Sequence, residues 1–347
     1  MELSHDQRAA VQPPPLEAGV AAIPARLASL LPVTAGPALH QALFEWNDTA
    51  SGDSRLATIG ELFAERAAAA PEAVALEAEG EVWSYRELDE QTNRLARHLI
   101  ARGAGPEVRV GVCLNRSADA IAALLAVLKA GGVYVPLEPA YPRERLAFMI
   151  EDAAAPVVIT ASAHLASLPE GIGRLVVLDR ERDAIAAGSA APLESGVTPD
   201  NLACLVYTSG STGRPKGVAM THAAIAAMLL WQQRTSAAKA GRTLQLTSLS
   251  FDVSFQEIFS TWWAGGTLVL VSEDVRRDPP ALVRLLAGQR VERLFLPFVA
   301  LQQLAIAALE GAFPSSLRGV MSAGEQLYVT PQVAELFSRL PGAELHN

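Results

Sequence analysis

The rhythm of the middle of this chain constrains its fold more than any other feature. Short apolar runs alternate with helix-length stretches. "EVRVGVCL" at 107–114 reads as a buried strand, "SADAIAALLAVLKAGG" at 117–132 as a helix ended by Gly131, and "VYVPL" at 133–137 as the next strand. "YPRERLAFMIEDA" is a helix opened by Pro142, followed by the strands "PVVIT" and "RLVVLD". Before them, "SYRELDEQTNRLARHLIARG" places Leu88, Leu95, Leu99 and Ile100 at helical spacing and stops at Gly103. After residue 200 the rhythm resumes with "NLACLVYT", "AAIAAMLLWQQR", "TLQLTSLS", "TLVLV", "ALVRLLAG" and "RLFLPF". Strands spaced by helices demand right-handed crossovers, and so predict parallel sheets covered on both faces. The fold class is α/β, as two doubly wound units over 46–200 and 201–347. Residues 1–45, with the proline-broken "VQPPPLEAGVAAIPARL", read as a linker.

Length and composition narrow the function classes. The 347 residues suffice for two cores, and 50% of them are hydrophobic, so most of the chain is expected to fold. A net charge of −9 argues against non-specific nucleic-acid binding. The polar start "MELSHDQR" lacks a signal-peptide pattern, and no apolar run approaches the ~18 residues of a membrane span. Cys113 and Cys204 both sit in apolar runs, which fits buried thiols in a reducing compartment. A soluble, cytoplasmic protein with no membrane partner is the expectation.

One polar loop interrupts the pattern. "YTSGSTGRPKGVAMTH" at 207–222 follows a strand. Its hydroxyls come from Thr208, Ser209, Ser211 and Thr212, its backbone freedom from Gly210, Gly213 and Gly217, and its positive charge from Lys216. Backbone N–H groups in such a loop can converge on phosphate, with the hydroxyls and the lysine as further donors. The spacing is neither a Walker loop nor GxGxxG, since Lys216 is followed by Gly217. Composition alone leaves an ordinary surface turn open.

The order of residues in "YTSGSTGRPKGV" closely resembles the phosphate-binding signature of adenylate-forming enzymes, among them the adenylation domains of non-ribosomal peptide synthetases. The resemblance extends over residues 46–347. "WSYREL" at 83–88 and "LKAGGVYVPLEPAYPRERLAFMIED" at 128–152 are similar to core motifs of the family, and "FDVSFQEIF" at 251–259 to the motif that opens the amino-acid pocket. "FEWNDTA" at 44–50 is similar to the stretch that comes after a condensation domain. Several of these carry plain structural readings. Ser84 and Glu87 make a capping box, and the "SFQE" pattern lets Asp252 or Ser254 cap a helix. With Phe251, Val253 and Phe255 around it, the Asp252 carboxylate is expected to be partly buried and therefore paired.

The resemblance implies the fold of the adenylate-forming superfamily, and with it a set of roles. The loop at 208–216 would hold the β- and γ-phosphates of ATP. Gly324, Glu325 and Asn347 would lie on the nucleotide side, Glu325 also as a Mg2+ ligand. Asp252 would pair with the substrate's α-ammonium, and Val253, Gln256, Phe295, Met321 and Ala323 would complete an amino-acid pocket. That combination resembles the signature of proline-activating domains, and a mostly apolar pocket without a second charge suits a compact aliphatic ring. Pipecolate, valine and proline derivatives remain open at 1–3 kcal/mol per methylene, roughly. Partners would be a carrier domain bearing phosphopantetheine, a condensation domain and an MbtH-like helper protein. The role of His222, which comes directly after the loop, is left open. The chain ends where the family's adenine-binding motif begins, so the C-terminal subdomain with its catalytic lysine is absent, and no certain catalytic residue lies within these residues. By itself the chain is expected not to complete catalysis. Other readings are an acyl-CoA or aryl-acid ligase of the same superfamily, against which Asp252 argues, and a non-catalytic interaction piece.

Overall fold

The structure, a computed structural model, describes residues 41–45, 57–78, 80–209, 214–235 and 241–347. Two units, Met1–Arg55 and Leu56–Asn347, separate by their contacts. In the first, the described part is a single π-helical turn, Gln41–Glu45. Most of the expected linker, and residues 46–50 of the "FEWNDTA" stretch, lie outside the described residues.

The second unit contains thirteen strands and eleven α-helices among its described residues. In chain order the strands are β1 (Val74–Ala78), β2 (Glu81–Ser84), β3 (Arg109–Cys113), β4 (Val133–Pro136), β5 (Val157–Thr160), β6 (Arg174–Val177) and β7 (Leu202–Thr208). They continue as β8 (Lys216–Thr221), β9 (Arg242–Gln245), β10 (Thr267–Leu270), β11 (Arg293–Leu296), β12 (Gly319–Ser322) and β13 (Glu344–His346). The helices begin with α1 (Ile59–Ala69), α2 (Tyr85–Ala101), α3 (Ala118–Lys129), α4 (Arg143–Asp152), α5 (Leu178–Ala186) and α6 (His222–Thr235). After these come α7 (Val253–Trp263), α8 (Glu273–Arg276), α9 (Pro279–Gly288), α10 (Phe298–Glu310) and α11 (Pro331–Ser338).

The strands form two sheets, ordered β13-β12-β11-β9-β10-β1-β2 and β6-β5-β3-β4-β7-β8. Each is parallel except for one antiparallel edge strand, β2 in the first and β8 in the second. The sheets do not divide the chain at residue 200. β7 and β8 lie beyond it, yet β7 pairs with β4 through Tyr134 and Cys204. β1 comes before it, yet pairs with β10 through Leu76 and Leu268. Periodicity specifies that a segment is a strand; it carries no information about which distant strand completes its ladder.

Why the layers stack this way is visible in α3. Every residue of "ADAIAALLAVLK" except Asp119 is buried, the mark of a helix enclosed on nearly all sides. It lies in a core shared by both sheets, with Leu76, Leu268 and Leu270 from one and Val110, Tyr134, Cys204 and Val206 from the other. Phe255 and Trp262 of α7 fill the same layer. The Trp262 indole N–H donates to the Ala75 carbonyl at 2.9 Å, so the ring is buried without an orphaned donor. Truncating it to alanine would cost roughly 3–5 kcal/mol. Outside the sheets lie two further cores. One packs Leu244, Leu294 and Leu296 against α9, α10 and α11, and the other packs Val135 and Val158 against Leu146 and Met149 of α4.

Local signals behave as their chemistry requires. Ser84 and Glu87 form both bonds of the capping box that opens α2. Gly131 lies just past α3 with φ of 81°, a conformation that favours glycine. Cys113 and Cys204 are buried free thiols, both pushed up to about 12 chiefly by burial. Among the described residues, no helix is long and apolar enough to cross a membrane.

Candidate functional site

The described ends of the polar loop belong to two paired strands. β7 and β8 pair antiparallel from Leu202↔Thr221 to Thr208↔Lys216. Sequence reading assigned no strand to 216–221, because "KGVAMT" is short, polar at its start and exposed along most of its length. Thr208, Ser209 and Lys216 are exposed, and Gly210, Ser211, Thr212 and Gly213 lie outside the described residues. The base of the hairpin is anchored firmly. The Tyr207 hydroxyl donates to Asp152 Oδ2 at 2.7 Å, tying β7 to the end of α4. Gly217 serves this packing. It stands opposite Tyr207, and a Cβ there would approach the Leu205 side chain to 2.9 Å.

His222 is the first residue of α6 and is fully buried. Its Nδ1 accepts from the Ile59 N–H at 3.2 Å, and burial lowers its pKa to about 4. It is a neutral packing residue at the start of α1, turned away from solvent.

The six residues expected to line an amino-acid pocket come from two places that the fold brings to one end of a sheet. Asp252, Val253 and Gln256 belong to the cap and first turn of α7. Phe295 and Met321 are direct register partners on the parallel strands β11 and β12, and Ala323 comes directly after β12. α7 runs against the direction of the strands below it. Arg293, at the start of β11 and paired with Thr243, donates to Ser260 Oγ at 2.9 Å. Two residues further along β9, Gln245 donates to Glu257 Oε2 at 2.8 Å, almost one turn earlier in α7. The carboxyl ends of β11 and β12 therefore meet the amino end of α7. In open α/β sheets this is where ligands bind.

Two expectations for this motif need correction. Asp252 is exposed, not partly buried, and its Oδ1 accepts from the Val253 N–H at 2.9 Å. The aromatic neighbours of Asp252 do not enclose it, because Phe255 turns into the core against Tyr134 while Phe251 is itself 60% exposed. The "SFQE" capping box does not form either. Ser254 Oγ donates to the Phe251 carbonyl at 2.6 Å, and Glu257 points inward.

Glu257 was missed by sequence reading as anything but a capping partner. It is fully buried. Oε1 accepts from the N–H groups of Leu246 at 2.9 Å and Thr247 at 3.4 Å; Oε2 accepts from Gln245 Nε2 and the Thr247 hydroxyl. Burial pushes its pKa up to about 7, against the pull of these donors and of Arg116. Arg293 is buried nearby, its guanidinium 5.5 Å from the Phe295 ring centroid, and burial lowers its pKa to about 10. Charge thus lies behind the apolar Phe295, which an apolar reading of Phe295 and Met321 did not foresee. The visible signal was a charged residue next to apolar ones, Glu257 before Ile258 and Phe259, and Arg293 before "LFLPF".

Among the residues expected on the nucleotide side, Gly324 has φ of 91°, so the turn after β12 needs glycine. Glu325 is exposed, and its Oε1 accepts from the Val299 N–H at 2.7 Å, at the amino end of α10. Asn347 is exposed just past β13. Among the described residues there is no cluster of three or more His, Cys, Asp or Glu side chains able to hold a metal by themselves. Two cavities of 510 and 420 Å³ lie elsewhere, beside Trp83 and Arg116 and beside Asp89 and Lys129.

Comparison with known proteins puts these features in a family. The family described as AMP-binding enzyme matches residues 63–347. A linear gramicidin synthase polypeptide of Brevibacillus parabrevis is 38% identical over 317 residues, covering 91% of this chain and 4% of that protein. Phosphinothricin tripeptide synthetase PhsB of Streptomyces viridochromogenes is 40% identical over 332 residues, covering 92% of this chain and 27% of its own length. The crystal structure of the non-ribosomal peptide synthetase FmoA3 in its AMPPNP-bound form superposes with a TM-score of 0.80 at 30% identity. That match covers 87% of this chain and 32% of the other. The chain therefore spans a third or less of the length of these relatives.

Proposed function

The chain belongs to the AMP-binding enzymes, as part of a non-ribosomal peptide synthetase adenylation domain, and from that premise we propose that it activates an amino acid, with proline as the preferred substrate. A carboxylate oxygen of the amino acid attacks the α-phosphorus of ATP. The bond from that phosphorus to the bridging oxygen breaks, and aminoacyl-AMP and pyrophosphate result. Positioning and charge neutralisation contribute most to such a step. The phosphopantetheine thiol of a carrier domain then attacks the acyl carbon, the bond to AMP breaks, and a thioester, AMP and a proton result; a condensation domain and an MbtH-like protein are further partners.

The observation that supports this reading is the exposed Asp252 carboxylate at the amino end of α7, beside the carboxyl ends of β11 and β12. The exposed anion offers an ammonium a partner, and the half-buried Val253, Gln256 and Met321, in front of the fully buried Phe295, offer a small aliphatic ring a surface. Thr208, Ser209 and Lys216, exposed at the base of the hairpin tip, would face the β- and γ-phosphates. Glu325 has one carboxylate oxygen beyond its bond to Val299. Mg2+ needs only one or two carboxylates when phosphates supply the rest, so Glu325 fits an ion that arrives with ATP. The ion would neutralise phosphate charge there.

The test is amino-acid-dependent ATP–pyrophosphate exchange in the full natural polypeptide, with the common amino acids and pipecolate. A dominant proline signal is expected, and Asp252→Ala should raise the amino-acid KM by about 10- to 100-fold. Strong exchange with another amino acid would discard proline. Exchange supported by amine-free acids would discard the role of Asp252.

A further inference from the structure

Asp252 has little of its own to hold it in place. Among the described residues its one side-chain bond goes to the next residue, and it is exposed. Its position is therefore set by the connection 246–252 between β9 and α7, and that connection is stapled at its start. Glu257, in the second turn of α7, reaches back to the N–H groups of Leu246 and Thr247 and to the side chains of Gln245 and Thr247. Arg116, from the β3–α3 connection, takes the opposite side of the same three residues. It donates to the carbonyls of Gln245 at 2.8 Å, Leu246 at 3.3 Å and Thr247 at 3.1 Å. Both backbone directions of one short segment are thus held by two buried, oppositely charged side chains. Beyond it, Ser254 fixes the last turn by donating to the Phe251 carbonyl.

We propose that Glu257, braced by Arg116, is a positioning residue for the amine end of the pocket: by closing the β9–α7 connection it sets where Asp252 and Gln256 stand. The proposal rests on the reading of Asp252 as the ammonium partner. A fully buried carboxylate is a poor device for stability alone, since a well-packed apolar residue serves as well or better. Its four donors come from the segment that leads to the pocket, and that makes geometry its product. Arg293, facing the same helix from β11, donates to Ser260 Oγ one turn further along.

The experiment compares wild type, Glu257→Gln, Thr247→Val and Asp252→Ala in the full natural polypeptide. It measures KM for the preferred amino acid, KM for ATP, and the kcat/KM preference for that amino acid over its amine-free analogue. Glu257→Gln should raise the amino-acid KM about tenfold or more, leave the ATP KM within about twofold, and lower the preference for the amine in parallel with Asp252→Ala. Thr247→Val removes only one donor, keeps the volume, and should move the same quantities by a smaller factor. If Glu257→Gln does not fold, Thr247→Val carries the test. Equal rises in both KM values, or an unchanged amine preference in a folded variant, would overturn the positioning role and leave the function standing. A wild type without amino-acid dependence, or an Asp252→Ala variant with unchanged amine preference, would overturn both.

Discussion

Lys129 offers the sharpest test of how the central layer is held. It ends α3 with its side chain 5% exposed, and its ammonium donates to Asp89 Oδ1 at 2.7 Å, Thr92 Oγ1 at 2.7 Å and Asn93 Oδ1 at 2.9 Å. Burial is the largest influence on it and lowers its pKa to about 8, with Asp89 opposing. Lys129→Met keeps most of the apolar stem and removes the ammonium, which lies 5.3 Å from the Phe63 ring centroid. Breaking a buried pair by deleting one partner costs about 3–5 kcal/mol. Asp89 is 20% exposed and borders the 420 Å³ cavity, so water reaches part of the stranded carboxylate and the lower end applies. A loss of about 3 kcal/mol is expected by urea denaturation. Adding Asp89→Asn should restore about 2 kcal/mol of it, because the second change removes the stranded charge. A single variant within about 1 kcal/mol of wild type, or a double variant no better than the single, would refute the reasoning.

Acid stability should carry the mark of His222. Unfolded histidine takes up a proton near 6.5 and the buried ring only near 4, so between those values the unfolded state binds more protons. Stability should fall by about 3 kcal/mol as the pH drops across that window, and His222→Gln should flatten the fall in denaturation curves recorded from pH 7 to 4.5, roughly. At Gly266, just before β10, an added Cβ would lie 2.3 Å from the Gly241 carbonyl oxygen, a backbone atom with no rotamer to escape through. Gly266→Ala should cost about 2 kcal/mol or more and lower the thermal midpoint, whereas Gly288→Ala, with open space around its Cβ position, should not.

Much of this protein was legible in the order of its residues. Alternating apolar runs and amphipathic stretches specified the α/β class, and the capping box at Ser84 and the glycine after α3 marked real boundaries, because each depends on residues within a few positions of one another. The loop at 207–222 was legible as an ordered motif for the same reason, whereas the pocket positions were an expectation carried over from the family resemblance. Pairing was not. That β1 joins β10 and β7 joins β4 depends on which apolar faces are left to cover once the whole chain collapses.

The pocket divides along the same line. From the sequence, Asp252, Phe295 and Met321 are grouped only as an expectation that the family resemblance implies. The tertiary structure decided that Asp252 is open to solvent, that His222 is sealed and neutral, and that Glu257 leaves its expected cap to bond residues 245–247. A carboxylate near the start of a helix reads as a cap partner until the backbone it faces is known. Burial makes unpaired N–H groups and unpaired carboxylates alike costly, and only the folded chain brings the two together.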